Sequence, residues 1–251
     1  MFSSLKRRMH ASLSPLLYGP GLALVPARAN RVWPQRAFMR RHLRSLEVDC
    51  IFDVGANVGQ YGKELRQIGY RHLIISFEPD WDAFRQLEIA SRGDRKWKIF
   101  NFALGREVGE ATLNIMAVSL FNSFRDPSVA ESSSFEHANT VVEERRVLID
   151  TLANMFARVQ DDFGFRTAFL KMDTQGFDLE VFAGSAPIHD RLVGLQTELS
   201  LKRIYQGTPT WVAAIEEYRA AGFELAGLFP VNPGDKELIE FDCVLQNRRM
   251  K

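Results

Sequence analysis

The 251 residues include 46% hydrophobic and 25% charged side chains, an ordinary globular balance that allows a sizeable core. No apolar run reaches the roughly 20 residues of a membrane span, and no Cys/His cluster has zinc-ligand spacing. The two cysteines, Cys50 and Cys243, lie in strand-like apolar runs, which fits a reducing cytosol and argues against a disulfide framework.

The net charge of +1 is unevenly placed. Residues 1–46 carry nine Lys/Arg and no acid, leaving 23 basic and 31 acidic residues, a balance of −8, in the rest. This marks a basic extension over 1–46 ahead of a domain over 47–251. The extension reads as a helical cap on the domain, as an arm lying on an anionic membrane surface with Leu13, Leu16, Leu17, Leu22, Leu24 and Val25 as its apolar side, or as a transit-like segment. A secretory signal is not expected, because Pro15, Gly19, Pro20 and Gly21 break the run from Ala11 to Val25.

In chain order, residues 35–46 predict a short basic helix, and "DCIFDV" (49–54) a buried strand of the kind parallel sheets use. Residues 60–68 predict a helix ended by Gly69, with Tyr61, Leu65 and Ile68 on one face. "HLIISFEP" (72–79) is a second strand, stopped by Pro79. Asp80 can cap a helix over 81–91. "WKIFNFAL" (97–104) and "ATLNIMAV" (111–118) predict the third and fourth strands, and the serine-rich stretch 119–142 a long loop or lid. "TAFLKMD" (167–173) is a strand, 178–185 a helix, 192–199 a strand and 210–221 a helix. "FELAGLFPV" and "ELIEFDCVLQ" close the chain as paired strands around Asn232-Pro233-Gly234. This alternation predicts an α/β, Rossmann-like doubly wound sheet of about seven strands, with helices on both faces and an antiparallel last strand at the sheet edge.

In such a sheet, ligands bind beyond the carboxyl ends of the strands. The first strand runs through Asp53 into Gly55-Ala56-Asn57-Val58-Gly59, and the second ends at Glu78, 23 residues after Gly55. An acid at about that spacing holds the two hydroxyls of a ribose. The middle glycine of the dinucleotide fingerprint is missing, so the loop suits a pyrophosphate poorly. Instead, Asp-Val-Gly-Ala-Asn-x-Gly resembles motif I of class I methyltransferases, which use S-adenosylmethionine. By that resemblance Asp53 lies near the cationic end of the cofactor's tail and the loop amides near its carboxylate.

The likeness extends along the chain. "DVGANVGQYGKELRQIGY", "ISFEPD", "FALGREVGEATLNI", "LKMDTQGFDLEVFAG", "LQTELSLKRIYQG" and "GFELAGLFPV" followed by "FDCVLQ" together resemble the FkbM-type methyltransferases over about residues 45–247. The resemblance implies O-methylation, often of sugar hydroxyls in glycans, glycolipids or secondary metabolites. It places cofactor contacts on Asp53, Gly55, Asn57, Gly59 and Glu78, with Asn101, Phe102 and Ala103 flanking adenine, and it brings Asp173 to the mouth of the site. Many members have Glu where Gln175 stands and a serine pair where this chain has "NSF" (122–124), departures that bear on substrate and metal.

Removing a proton from a sugar hydroxyl calls for a base. Asp173 and Glu198, at the carboxyl ends of neighbouring strands, are the catalytic candidates, with His137 in the lid as a third. Asp173, Gln175 and Glu198 are also candidate oxygen ligands for a divalent cation such as magnesium. Lys202, Arg203 and Tyr205 are placed to meet the acceptor. The rival activities are a nicotinamide-dependent reductase, which lacks here a Tyr-x-x-x-Lys pair, and a non-catalytic nucleoside-binding module. Nucleic acid is not expected as a partner, since no Asn-Pro-Pro-Tyr or Asp-Pro-Pro-Tyr sequence is present to grip a flipped base. The expected location is cytoplasmic, with or without peripheral membrane contact.

Overall fold

The computed structural model describes residues 33–128, 137–231 and 237–249. In chain order these form α1 (Trp33–Ser45), β1 (Cys50–Val54), α2 (Gln60–Gln67), β2 (Leu73–Phe77), α3 (Trp81–Ser91), β3 (Trp97–Phe100), β4 (Ala103–Leu104), β5 (Gly109–Met116) and β6 (Val141–Asp150). There follow α4 (Leu152–Phe163), β7 (Ala168–Met172), α5 (Asp178–Gly184), β8 (Leu192–Ser200), α6 (Trp211–Ala220), β9 (Phe223–Pro230) and β10 (Glu240–Asn247).

Strands β1, β2 and β7 are buried at every position. Such a strand needs apolar side chains on both faces, because helices cover both. Cys50, Phe52 and Val54 point into one core with Met155, Phe156 and Val159 of α4, Phe182 of α5 and Tyr218 of α6. Ile51, Ile74 and Phe169 point into the other, with Met39 and Leu43 of α1, Leu65 of α2 and Leu87 of α3. Three helices therefore lie on each face of a seven-stranded sheet, ordered β3-β2-β1-β7-β8-β10-β9. The expected doubly wound architecture is present. The antiparallel strand, however, is not at the edge: β10 pairs antiparallel with both β8 and β9 and lies between them.

Helix α1 is a cap on this body. Phe38 packs at 5.1 Å from Phe229, and His42 meets the edge of Phe169. Burial of Met39 and Leu43 at 3% exposure each contributes about 1.5–3 kcal/mol per side chain. Residues 1–32, which hold the apolar stretch and five of the nine basic residues, lie outside the described residues, as does the Asn232-Pro233-Gly234 turn. Among the described residues, no helix is long and apolar enough to cross a membrane.

The middle of the chain departs most from the sequence reading. The third predicted strand breaks after Phe100, and its end, β4, joins β5 and β6 in a separate three-stranded sheet. The predicted fourth strand is β5 of that sheet. Strand β6 and helix α4 go beyond the sequence reading, and β6 shortens the expected 119–142 loop by two residues. Arg145 of β6 fastens the small sheet to the large one, its Nη1 lying 2.5 Å from Oδ1 of Asp80, the N-cap of α3.

Candidate active site

The chain turns sharply where β1 ends. Gly55, Asn57 and Gly59 all have positive φ, 73°, 46° and 81°, a region open to glycine and tolerated by asparagine. At Gly55 a side chain is also sterically excluded, since a Cβ would lie 2.0 Å from the Asp173 carbonyl oxygen. The carboxyl ends of β1 and β7 meet there. The amides of this loop do not face outward as the resemblance implied. Those of Gly55 and Ala56 donate to Phe77 O, Asn57 N to Glu78 Oε2, Val58 N to Asn57 Oδ1, and Gly59 N to Ala56 O.

Glu78 stands at the end of β2 as expected. Its two carboxylate oxygens each accept one backbone amide, from Asn57 at 2.7 Å and Asp80 at 2.8 Å. Burial raises its pKa to about 7, against the lowering effect of those two hydrogen bonds. It lines a cleft of ≈ 260 Å³ with Gly55, Asn57, Phe77, Ala103, Leu104, Leu120 and Phe121. Asn57 also reaches the overhanging turn at 119–121, donating from Nδ2 to Ser119 O at 2.9 Å. Of the three residues expected beside adenine, Ala103 reaches the cleft. Asn101 supports the end of β2, donating to Glu78 O and Pro79 O, and Phe102 packs on Phe77 and Phe100.

Asp53 is not a wall of the cleft. It is fully buried, accepts from Ser76 Oγ at 2.9 Å, and pairs with Lys171 Nζ at 3.2 Å. Lys171 also lies 3.5 Å from Asp173 Oδ2 and over the ring of Tyr61. Burial alone would lower its pKa, but Asp53 and Asp173 outweigh this and raise it. The network continues across the sheet. Tyr61 donates to Gln196 Oε1, and Gln196 and Gln35 each donate to one oxygen of Asp242.

The cleft ends in a group of acids. Asp173, Gln175, Glu198 and Glu240 line it together. Gln175, at φ 52°, donates from Nε2 to Asp173 Oδ1 and to Glu198 Oε2, both at 3.0 Å. Tyr205 OH donates to Gln175 Oε1 at 2.9 Å. The amide thus takes the position between two carboxylates that a cation would need. Among the described residues no cluster of His, Cys, Asp and Glu has metal-binding geometry, so the expected grouping of Asp173, Gln175 and Glu198 as metal ligands finds no support. Glu198 is held well above the ordinary range by burial and by the charges of Asp173, Glu240 and Asp242. Burial likewise raises Glu240 to about 7 and Asp242 to about 6.

His137 is exposed and does not line the cleft. Lys202 pairs with Glu237 at the surface, while Tyr205 is 2% exposed and reaches Gln175. Sequence reasoning missed Lys171, Glu240 and Asp242. The available signal was a lone ammonium in the apolar strand "AFLKM" and two acids in the strand "EFDCV".

A family model described as the methyltransferase FkbM domain matches residues 53–225. No curated protein matches the chain. Solved structures with similarity include the METTL16 MTase domain, at 10% identity over 96% of this chain and 78% of that one, TM-score 0.47. Fibrillarin of Aeropyrum pernix with natively bound S-adenosyl-L-methionine matches at 12%, over 78% and 66%, TM-score 0.40. Magnesium protoporphyrin IX methyltransferase of Synechocystis PCC 6803 with bound SAM matches at 12%, over 91% and 87%, TM-score 0.41.

Proposed function

From the premise that this chain belongs to the FkbM family of class I S-adenosylmethionine-dependent methyltransferases, we propose that it methylates oxygen, and that the acceptor is a sugar hydroxyl of a glycan, glycolipid or secondary metabolite. The observation that carries this reading is the lining of the cleft. Among the described residues it holds Glu78, Asp173, Glu198 and Glu240 and neither Lys nor Arg. A nucleic acid or another anionic acceptor would need cations there, whereas a neutral polyol needs hydrogen-bond acceptors and a base.

The residues present fit the cofactor. Glu78 offers a carboxylate with acceptor capacity beyond its two amide bonds, and the apolar side chains of Phe77, Leu104, Leu120 and Phe121 suit a purine. Asp53 acts only through Lys171. S-adenosylmethionine, when bound, supplies an electrophilic methyl group on a positively charged sulfur.

On the acceptor side, Glu198 is the residue to take the hydroxyl proton. Gln175 fixes its Oε2, and Oε1 is left for the acceptor. A carboxylate whose proton affinity is raised by burial and by neighbouring charge is a stronger base than an ordinary glutamate. Asp173 has both oxygens engaged, by Gln175 and Lys171, so its part is to orient Gln175 and to hold negative charge beside the cleft. Positioning the two reacting atoms is expected to contribute several kcal/mol on its own.

Formation of S-adenosylhomocysteine is the test, measured with neutral glycosides and with RNA as acceptors. Turnover with the glycosides supports the reading, and turnover confined to RNA overturns it. Docking of the basic segment 1–46 on an anionic membrane belongs to the same proposal, supported by its nine acid-free positive charges. Sedimentation with anionic vesicles at low and high salt tests it, and protein left wholly in the supernatant at low salt overturns it.

A further inference from the structure

Strands β8 and β10 run antiparallel, and their register sets Glu198 directly opposite Asp242. Residues paired in this way project from the same face of the sheet, with Cβ atoms about 4.5–5.5 Å apart. Like charges in that relation repel. Glu198 lines the acidic end of the cleft. Asp242 stands behind it, on the side covered by α1.

Asp242 is nevertheless supplied with what an ionised carboxylate needs. Gln196 Nε2 donates to Oδ1 at 3.0 Å, and Gln35 Nε2 to Oδ2 at 2.7 Å. Hydrogen bonds donated to the charged form of an acid favour that form. Gln196 is held with its donor side towards Asp242, because its Oε1 accepts from Tyr61 OH at 3.0 Å. Gln35 belongs to α1, so the helix at the start of the described chain reaches the acid that faces the proposed base.

We infer that Asp242 is a positioning residue for methyl transfer, that its charge strengthens Glu198 as the base, and that α1 takes part in the reaction through Gln35. The inference rests on the assignment of Glu198 as the base and adds what sets its strength. The charges felt by Glu198 come from Asp173 at the end of β7, Glu240 and Asp242 of β10 and Asp178 of α5. Each has its own support. Lys171 lies beside Asp173, Thr174 and Thr197 donate to Asp178, and Ser200 donates to Glu240. Of the four acids, Asp242 is the one bonded to α1. On the α1 side, Arg36 is engaged by Glu64 of α2, and the charge that eases ionisation of Asp242 is that of Lys171. Burial raises Asp242 to about 6 against the lowering effect of its two amide bonds, so it is charged at neutrality. A negative charge fixed there disfavours a second one on Glu198 and so favours transfer of a proton to it.

The experiment follows Glu198 itself, by NMR titration of the full chain labelled with glutamate carrying 13C at the side-chain carboxyl. The Glu198 signal is assigned by its loss in Glu198→Gln. In Asp242→Asn the Glu198 midpoint should fall by about one pH unit or more. Gln35→Leu should move it in the same direction by less, because Asp242 without that donor keeps its proton to higher pH. Cooperative urea unfolding verifies that both variants are folded. If Asp242 and Gln35 served only to pack α1 on the sheet, the midpoint would stay in place. A Glu198 midpoint at its wild-type value in either variant therefore overturns the inference. Turnover of a neutral glycoside that survives in Glu198→Gln would instead overturn the assignment of the base, and leave the charge coupling measured by the titration standing.

Discussion

Lys171 Nζ stands 3.2 Å from Asp53 Oδ1, with both side chains sealed between β1 and β7 at 6% and 0% exposure. The two residues are direct neighbours in the parallel register. A buried pair of this kind contributes little net stability against an apolar pair of the same shape, but loss of one partner leaves an uncompensated charge. Lys171→Met should therefore cost about 3–5 kcal/mol in urea unfolding, and addition of Asp53→Leu should recover part of the loss. A single variant as stable as the parent would mean that the pair is not held as described.

Stability should also depend on pH in an unusual direction. Glu78, Glu198, Glu240 and Asp242 all have proton affinities raised by burial. A carboxyl whose folded pKa lies above its unfolded value binds more protons when folded, so its stabilising effect is complete below the unfolded value and is lost as pH rises through the folded one. Between about pH 4.5 and 7 the cofactor-free protein should lose stability, whereas ordinary salt-bridged carboxylates complete their gain below about pH 5 and are flat over that range. Urea midpoints across the window will decide, and a midpoint that rises steadily towards neutrality sinks the prediction.

What the sequence disclosed follows from the same physics. Strands β1, β2 and β7 were legible because burial on two faces demands nearly continuous apolar runs. Gly55 and Glu78 were legible because they end such runs at a recognisable spacing. Strand β6 was not, since Glu143, Glu144, Arg145 and Arg146 in its middle leave it no apolar run, while its partner strand and Asp80 supply what pairs it. Helix α4 carries Leu152, Met155, Phe156 and Val159 at i, i+3, i+4 and i+7, a signal that sequence does contain. Glu240 and Asp242 needed the topology. They join the site because β10 runs antiparallel beside β8 and starts where β8 ends.

Cofactor binding should release protons. Glu78 titrates at about 7 in the free protein, and hydrogen bonds from two ribose hydroxyls would favour its ionised form. Calorimetry of S-adenosylmethionine binding at about pH 6.5, in buffers of different ionisation enthalpy, should show net proton release. Heats independent of the buffer would count against this role. Glu78→Gln should weaken binding by roughly ten- to a hundredfold, the equivalent of about 1.5–3 kcal/mol for charge-assisted hydrogen bonds.

Gln175 offers the sharpest separation of chemistry from binding. Its amide donates to both Asp173 and Glu198, at 3.0 Å from each, and it lines the acidic end of the cleft with Glu198 and Glu240. Gln175→Glu replaces that donor with a third negative charge. Like charges at this separation disfavour ionisation, so the proton affinity of Glu198 should rise further. If Glu198 is the base, the rising limb of the pH–rate profile should move to higher pH, with turnover near neutrality reduced by about tenfold or more. Affinity for S-adenosylhomocysteine, governed by Glu78 and the apolar walls, should change far less. Gln175→Leu removes the donor without adding charge, so it should lower turnover with a smaller displacement of the profile. A profile unmoved in Gln175→Glu, with turnover intact, would exclude Glu198 as the group whose ionisation controls the reaction.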